Sequence, residues 1–597
     1  MFAGYPSVDI ADLLDTYDYV VVGGGTAGCV LANRLSRDVG ASVLLLERGG
    51  IQDSWISRVP LFSSHFASDG SRSWVTKSIA QGHADNREME IIGGNCLGGS
   101  SRINAMLYTR GLPAEFNAWT KSGSWDYRSM EPHFVKSESN LDRKLDSEKH
   151  SGTTGGEWVH RSHNHLHWVH SEHIIKATSS MGIPYVEDPN SPFQPAHGCA
   201  KLHYSIDRRG QRCSTFAAFL PRQLALSRTH RLHICTNTLV CRIELSGGSE
   251  AGAVKSEGVW VKSRNDSTPP ILIRARREVI MCAGPIGTPH LLLLSGIGPR
   301  DHLKDHGIAV KKDLPGVGSH LQDHLTVPVQ FCVPVSDSLA KIQLRPWIIL
   351  KELFLYLFFG LGLLLSPVLE LSVFIQSRLL DKEFNVSSYS EHDMDSSNPE
   401  NRPDIEIMPV RSGDITYAHT DTVQIAWGEV NKHRQGGLCF FTVMLRPTSM
   451  GTIRLNSNDP ALPPAIDPNY LSTSHDISAH RKAVRFALRL KDRMVAQGYP
   501  VVTYSAPDFD SDQEIDAYVR SKCQSTYHYS STCRMGPEHA GVVDEDLKVH
   551  GVEGLRIADS SVFPEILSTH IAAATVAVAE KCSALLQGPA APEPSIV

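Results

Sequence analysis

A short apolar run that leads directly into a cluster of glycines near the N-terminus constrains the fold of this chain more than any other feature. Residues 18–22 (DYVVV) are typical of a buried parallel strand, and residues 23–28 (GGGTAG) follow at once. Glycines so placed permit a tight turn and a close approach of the backbone to a pyrophosphate, at which the next helix points its N-terminus. The residues predicted to contact a dinucleotide here are Gly23, Gly25, Thr26, Ala27, Gly28, Glu47 and Arg48.

Glu47 supports the same interpretation, because it ends a second apolar strand nineteen residues after Gly28. A carboxylate at this position accepts hydrogen bonds from the ribose of an adenosine. It would repel a 2′-phosphate, so NADP is the dinucleotide that fits least well. Strand, glycines, helix, second strand and terminal acid stand in the order of a βαβ unit, which an isolated glycine-rich turn would not give.

Composition excludes several classes of protein. With 597 residues the chain is too long for one ordinary core, and its net charge of −6 gives no reason to expect a nucleic acid partner. The 12 cysteines are scattered without a CxxC pair or a metal-like spacing, so we expect free thiols in a reducing compartment and no metal site. Residues 1–16 lack the pattern of a signal peptide, and an intracellular, cytoplasmic location is expected.

One strongly apolar stretch, residues 348–375, requires a test for a membrane span. Its least interrupted part, residues 353–365, is shorter than the roughly 20 residues that a spanning helix needs. We therefore expect a core helix or a wall of a pocket. A peripheral membrane contact is the minor alternative.

Four further stretches carry a resemblance to a known family. They are residues 94–108 (GNCLGGSSRINAMLY), 284–299 (GPIGTPHLLLLSGIGP), 316–324 (GVGSHLQDH) and the segments around His528 and His570. Together with the first motif, and in this order, they resemble the glucose–methanol–choline (GMC) family of FAD-dependent oxidoreductases, in the style of its fungal natural-product branch. The resemblance implies an α/β fold, in which a Rossmann-like FAD-binding domain carries an inserted α+β substrate domain with an antiparallel sheet backed by helices.

The order of the elements predicts that the FAD-binding domain is discontinuous. Residues 1–155, 225–325 and 530–597 are assigned to it, and residues 156–224 and 326–529 to the substrate-binding domain. Residues 316–324 are expected to be structural, with no catalytic role for their histidines. Thr288 is expected to cap the start of a helix.

By the same resemblance, a second set of residues surrounds the cofactor. Small side chains in residues 97–101 would let backbone N–H groups approach the flat flavin ring closely. Some relatives attach the flavin covalently through a histidine where this chain has Ile103, so non-covalent FAD is expected. The set consists of Leu97, Gly99, Ser100, Asn104, Ala105, Met106, Leu107, Val240, Ala558, Asp559, His570 and Ile571.

His528 and His570 match the two active-site positions of the family. Oxidation of an alcohol removes the hydroxyl proton and passes the α-hydride to flavin N5. A neutral imidazole can accept that proton at physiological pH, and a second donor can hold the alkoxide. We assign His528 as the base and His570 as the orienting partner, and exchanged roles are the alternative. The family usually has glycine where this chain has Ser531.

The sequence favours FAD-dependent oxidation of an alcohol, with oxygen or another carrier as the electron acceptor. An apolar or aromatic small molecule of secondary metabolism is the expected substrate, if residues 348–365 line the pocket. The alternative is a non-redox cyclase or dehydratase, in which both histidines act on the substrate and FAD is structural. A light-driven fatty acid decarboxylase is disfavoured, because Leu445 stands where that group carries a cysteine.

Overall fold

The structure is a computed structural model. It describes residues 4–63, 70–142, 156–162, 166–247, 254–264, 268–345, 347–367, 369–386, 388, 390–411 and 435–587.

The predicted dinucleotide-binding strands form the centre of a largely parallel sheet. The strand Thr16–Val22 pairs in parallel with Val43–Leu46 on one side and with Ile271–Met281 on the other. All but one of its residues are buried, which explains its continuous apolar sequence. The sheet runs Leu232–Cys235, Val43–Leu46, Thr16–Val22, Ile271–Met281, Val254–Ser263 and Thr238–Ser246, with Leu555–Ile557 and Val552–Glu553 added on the 271–281 and 254–263 strands.

Helices Thr26–Leu35 and Ala572–Gln587 pack together beside this sheet. The first begins directly after Gly25, at the carboxyl end of the first strand. A buried ion pair, Arg34 to Glu580 at 2.6 Å, joins the two helices. The turn between the first strand and its helix leaves no room for a side chain at Gly28, where an added Cβ would lie 1.9 Å from the Gly23 carbonyl oxygen. The βαβ unit is therefore confirmed.

A second large sheet carries most of the remaining strands. Its neighbours pair antiparallel except for the last two strands, and Gln524–Ser525 adds to the Leu325–Val333 strand. The helix Ser474–Ala496 packs on this sheet, with Val169–Ser180 and Asp512–Lys522 beside it. The predicted fold class, a Rossmann-like domain with an α+β domain on an antiparallel sheet, is confirmed. The strand order is Val502–Ser505, Leu325–Val333, Gly436–Met444, Ile405–Val410, Leu371–Ile375, Gly198–Lys201 and Tyr185–Val186.

A small four-stranded sheet crosses the predicted domain boundary at residues 155 and 156. It runs Leu107–Tyr108, His203–Tyr204, Trp158–Ser162 and Glu138–Asn140. Strands from both predicted domains therefore share hydrogen bonds here, and the predicted boundaries stay a prediction.

Shorter elements complete the described part of the chain. The other α-helices are Pro60–Ser63, Pro113–Trp119, Tyr127–Ser137, Thr215–Phe219, Arg222–Ser227, Gly284–Leu294, Arg300–Asp305, Ala340–Leu344, Trp347–Phe359 and Glu391–Met394. The other strands are Ser73–Lys77, Glu90–Gly94, Ile297–Gly298, Lys312–Asp313, Ser319–Leu321, Gly451–Arg454 and Ala465–Asp467.

The apolar stretch does not become the core helix that the sequence predicts. Only two residues of the helix Trp347–Phe359 are buried, Glu352 and Tyr356. The buried apolar residues follow it, in the short 3-10 helix Leu363–Leu365. In the described ranges, no helix is both long enough and apolar enough to span a bilayer.

Candidate active site

Twelve of the twenty predicted cofactor and catalytic residues line one cavity of about 310 Å³. The glycine turn after the first strand, the loop at residues 93–105 and the start of the Ala572–Gln587 helix border it on one side. Residues 524–529 and strands of the second sheet border it on the other. The predicted residues among its lining are Gly25, Thr26, Ala27, Gly99, Ser100, Asn104, Ala105, Leu107, His528, Asp559, His570 and Ile571.

The glycine turn at Gly25 and the glycine turn at Gly99 meet at the cavity, and the space beside Gly25 is bordered by backbone atoms. A Cβ added at Gly99 would lie 2.7 Å from the Gly25 Cα, so the two turns touch. A Cβ added at Gly25 would instead meet nothing closer than 3.9 Å and would point into free space. Gly25 also precedes the first turn of a helix, whose N–H groups attract phosphate. This cradle fits the pyrophosphate of FAD.

Glu47 lies at the carboxyl end of its strand, as predicted, but its carboxylate contacts backbone. Oε2 accepts from the Gly24 N–H at 2.9 Å and Oε1 from the Gly49 N–H at 2.7 Å. Burial raises the pKa of this carboxyl above its usual value, against the lowering effect of these two hydrogen bonds. Arg48 is exposed, and Val240 is buried in the strand Thr238–Ser246, whose first N–H donates to the Glu47 carbonyl oxygen.

A buried arginine that the sequence analysis missed fixes the predicted flavin loop. Arg212 donates through Nη1 to Asn104 Oδ1 at 2.6 Å and through Nη2 to the Asn104 carbonyl oxygen at 2.6 Å. Asn104 Oδ1 also accepts from the N–H of Met106, a residue with the left-handed φ of 64°. The guanidinium of Arg212 therefore fixes both the side chain and the backbone of Asn104. Leu97 and Met106 are buried beside the loop, outside the cavity lining.

Asp559 connects two further motifs at the cavity. Its Oδ2 accepts from the Gly284 N–H at 2.8 Å and from the Thr288 hydroxyl at 2.7 Å. Thr288 lies inside the helix Gly284–Leu294 and binds this carboxylate, so the prediction that it caps the helix start is wrong. The preceding residue, Ala558, is fully buried and donates its N–H to the Met281 carbonyl oxygen.

The two predicted catalytic histidines contact one another at the cavity. His528 Nε2 lies 3.3 Å from His570 Nδ1, and the two rings are nearly perpendicular at 87°. His528 follows the second sheet in a loop, while His570 stands just before the Ala572–Gln587 helix. Two ring nitrogens therefore converge on the same space, as acid–base catalysis on one oxygen atom requires.

A third histidine, His324, contacts His528 from behind. The two Nδ1 atoms lie 2.9 Å apart, and Thr526 Oγ1 lies 3.2 Å from the same His528 nitrogen. Burial, together with the charges of His570 and His324, holds the pKa of His528 well below its usual value. Burial also lowers the pKa of His324 to about 4. The 316–324 motif, expected to be structural and without a catalytic role, thus supplies a residue that contacts the proposed base from outside the cavity lining.

Glu406 completes the group on the far side of His570. Its Oε1 lies 3.2 Å from His570 Nε2 and accepts from the Ser372 hydroxyl at 2.5 Å. Burial would raise the pKa of this carboxyl, but the charge and hydrogen bond of His570 bring it below its usual value. Glu406 and Ser372 lie on neighbouring strands of the second sheet, where Glu406 is opposite Phe374 and Ser372 lies two residues from Phe374 on the same strand. In the sequence, the one sign of this residue is a single acid within an otherwise apolar run, residues 405–410 (IEIMPV).

Asp323 fixes the backbone of the His528 loop. Its Oδ1 accepts from the His528 N–H at 2.8 Å, and its Oδ2 accepts from Tyr470 Oη and Ser525 Oγ at 2.5 Å each. Burial raises the pKa of Asp323 to about 6 in spite of these hydrogen bonds. Ser531, where the family has glycine, adopts the left-handed φ of 70° that glycine takes without strain.

The remaining lining is mostly apolar, and its source differs from the prediction. The lining includes no residue from 348–365, so the stretch expected to form the pocket wall does not do so. Asp559 is the only acidic side chain among the described lining residues. The large apolar and aromatic side chains of the lining are Trp74, Ile92, Ile286, Leu369, Met408, Phe441, Tyr527 and Tyr529.

Comparison with known proteins places this architecture in one family. A GMC oxidoreductase N-terminal family model matches residues 17–326, and a C-terminal model of the same family matches residues 447–579. An oxygen-dependent choline dehydrogenase from Xanthomonas euvesicatoria pv. vesicatoria is 33% identical over 581 residues, which cover 96% of this chain and 96% of that protein.

Solved structures show the same fold over almost the whole chain. A mutant formate oxidase of Aspergillus oryzae RIB40, studied for its FAD modification, superposes with a TM-score of 0.81 at 28% identity, covering 96% of this chain and 98% of that one. A fungal aryl-alcohol oxidase superposes with a TM-score of 0.77 at 25% identity, covering 96% and 99% of the two chains.

Proposed function

The chain belongs to the GMC oxidoreductase family and is an FAD-dependent enzyme, and from this premise we propose that it oxidises a neutral, apolar or aromatic alcohol. The observation that carries the proposal is the pair of imidazole nitrogens, His528 Nε2 and His570 Nδ1, 3.3 Å apart at the cavity. An alcohol oxygen placed beside both nitrogens can lose its proton to one and accept a hydrogen bond from the other.

His528 is the proposed base. Its pKa lies well below the usual value chiefly because the ring is buried, and also because a proton on it would be repelled by protonated His570 or His324. The ring is therefore neutral at physiological pH and has a lone pair available for the hydroxyl proton. His324 and Thr526, on the Nδ1 side, hold the ring so that Nε2 faces the cavity.

His570 is the proposed donor to the alkoxide. Its Nε2 faces the Glu406 carboxylate and donates an N–H to it. When Nδ1 also carries a proton, the ring has a second N–H, which points toward the substrate. Bound FAD would supply the acceptor for the hydride that leaves the carbinol carbon. Gly25, Thr26 and Ala27 would hold its pyrophosphate, Asn104 and Ala105 its ring, and Asp559 the chain between them.

FAD binds without a covalent bond in this proposal. Ile103, at the position that carries a histidine in some relatives, lines the cavity with an aliphatic side chain. Cys282 also lines the cavity, but burial raises the pKa of its thiol well above the usual value and keeps it protonated.

The lining supports an uncharged substrate. Choline, the substrate in the name of the Xanthomonas relative, carries a permanent positive charge, and the described lining offers it no free carboxylate. The aromatic rings of the lining, Trp74, Phe441, Tyr527 and Tyr529, suit a cation and a neutral aromatic body alike. The one acidic side chain of the described lining, Asp559, is engaged by Gly284 and Thr288. Leu369, Met408 and Phe441 favour an aliphatic or aromatic body, as in the aryl alcohols of the fungal oxidase.

A secondary metabolite of a fungal branch is the proposed substrate, and oxygen is the proposed acceptor, as the oxidases and the oxygen-dependent dehydrogenase among the relatives favour. The same pair of histidines also supports the second candidate, a non-redox cyclase or dehydratase. There the two rings would act as acid and base on one substrate, with FAD structural.

Anaerobic mixing with a panel of alcohols separates the two candidates. The oxidase proposal expects the absorbance of oxidised FAD to bleach with an apolar or aromatic alcohol and to remain with choline. Conversion of a substrate without any bleaching would replace the oxidase proposal by the non-redox one.

A further inference from the structure

The helix Trp347–Phe359 presents large apolar side chains to solvent along most of its length. We call the following set the apolar patch: Trp347, Leu350, Phe354, Leu357, Phe358, Phe359 and Leu361, each between 52% and 71% exposed. Single exposed apolar residues are ordinary, but seven within fifteen residues form a contiguous surface of the kind that binds a partner. None of them lines the active-site cavity.

The helix under the patch is anchored, so the exposure belongs to an ordered element. Glu352, buried on the inner side, accepts from the Leu363 N–H at 2.7 Å. Tyr356, also buried, donates its hydroxyl to the Gly210 carbonyl oxygen at 3.2 Å. The ring of Trp55, itself 44% exposed, packs edge-on against Tyr356. The outer side of the helix therefore has a fixed direction and projects its aromatic rings outward.

Cationic side chains accompany the patch. Arg345 and Lys351 are exposed at the start of the helix, and Arg208 and Arg209 are exposed in the turn that Tyr356 contacts. The acid within the helix, Glu352, is buried and engaged. Aromatic and leucine side chains bordered by lysine and arginine are the composition of helices that lie in the interface of a bilayer.

We infer that this helix docks the protein on an anionic lipid surface, with the apolar patch inserted among the acyl chains and the four cations at the headgroups. A helix of 13 residues is about 20 Å long, enough to lie in the interface but not to span the bilayer. A second copy of this chain fits less well, because two copies would bring their like-charged margins together. The inference does not depend on the proposed catalytic function.

Flotation of the FAD-loaded protein with lipid vesicles tests the inference. Vesicles of phosphatidylcholine alone are compared with vesicles that also contain phosphatidylserine. We expect the protein to float with the anionic vesicles and at least about tenfold less with the neutral ones. The combined variant Leu350→Ser, Phe354→Ser, Phe358→Ser should lose at least about tenfold of the anionic binding. The charge variant Arg345→Glu, Lys351→Glu should lose a similar amount.

A matched control removes exposed apolar residues elsewhere. Phe193→Ser, Leu226→Ser and Leu462→Ser, at positions 75%, 43% and 50% exposed, should leave vesicle binding unchanged. Thermal unfolding and FAD absorbance verify that each variant is folded. Equal loss in this control, or no flotation of the wild type, would overturn the inference. A wild-type dimer in solution that the patch variant converts to monomers would assign the patch to a second copy instead.

Discussion

Glu406 and His570 form a buried carboxylate–imidazole pair, with Oε1 and Nε2 at 3.2 Å, at the wall of the cavity. The two residues come from different parts of the fold, an inner strand of the second sheet and the start of the last helix. The pair gives the two active-site imidazoles different surroundings, because only His570 faces a carboxylate. This difference supports the assignment of His570 as the donor and His528 as the neutral base.

Replacement of Glu406 should reduce the rate of flavin reduction. Glu406→Gln keeps an oxygen that can accept from His570 Nε2 but removes the charge, so we expect a loss of about tenfold to hundredfold, the scale of one charged hydrogen bond. Ser372→Ala, which removes only the hydroxyl that orients the carboxylate, should cost less. Anaerobic stopped-flow reduction measures both, and rates within twofold of the wild type for Glu406→Gln would remove the residue from the account.

The pH dependence of the same reaction shows whether Glu406 acts through its charge or only through packing. Because the pKa of His528 lies well below 6.5, the base stays neutral at pH 6.5 and above, and its protonation should not limit the reduction rate there. The rate should fall only at lower pH, as His528 takes up a proton. The charge of His570 contributes to this low pKa, so Glu406→Gln should move the acidic limb to higher pH. A purely structural role would leave the limb in place.

Loss of the proposed base should be severe and specific. His528→Asn keeps a polar side chain of related shape but no basic nitrogen, so we expect flavin reduction to slow by at least about two orders of magnitude. FAD absorbance and thermal stability should remain those of the wild type. His324→Asn serves as the comparison, because it removes a ring that touches His528 but not the substrate space, and its loss should be smaller. Equal rates for His528→Asn and wild type would refute the assignment.

A side chain at Gly25 should block the cofactor without disturbing the fold. The nearest atoms to an added Cβ there lie 3.9 Å away, so the protein has room for the side chain of Gly25→Val. That side chain fills the cradle proposed for the pyrophosphate. We expect a folded, colourless protein that does not bind added FAD. Gly82→Val, at a position where an added Cβ meets nothing within 4 Å, is the matched control and should stay yellow. A yellow Gly25→Val protein would place the nucleotide elsewhere.

Acid precipitation tests how FAD is held. With Ile103 at the attachment position, the flavin should pass into the supernatant when the protein is denatured with acid. Yellow colour retained in the pellet would show a covalent link and would direct attention to other lining residues such as Cys282.

The sequence predicted the features that are local along the chain. The strand–glycine–helix unit at residues 16–35 and the acid Glu47 follow from spacing and apolar pattern, because a βαβ unit uses neighbouring segments. The order of the family motifs identified His528 and His570. It could not show that His324, 204 residues before His528, lies 2.9 Å from it, since such contacts depend on how distant segments fold together.

For the apolar segment, the sequence predicted more burial than the structure shows. Hydrophobicity alone favoured burial of residues 348–365, but the structure buries only Glu352, Tyr356 and Leu363–Leu365 among them and leaves most of the helix partly or largely exposed. A helix that is apolar on all faces gives no periodicity to show which face packs, so pattern analysis could not separate a core from an exposed surface. Glu406 was missed for a related reason, because a single acid in an apolar strand has no motif around it.

The most direct test of the central claim is anaerobic reduction with an alcohol deuterated at the carbinol carbon. The account predicts that an apolar or aromatic alcohol bleaches bound FAD and that deuteration slows the bleaching several-fold, roughly as expected for a transferred hydride. The same substrate should bleach FAD at least about a hundredfold more slowly in His528→Asn. Turnover without bleaching, or bleaching that neither deuteration nor His528→Asn slows, would contradict it.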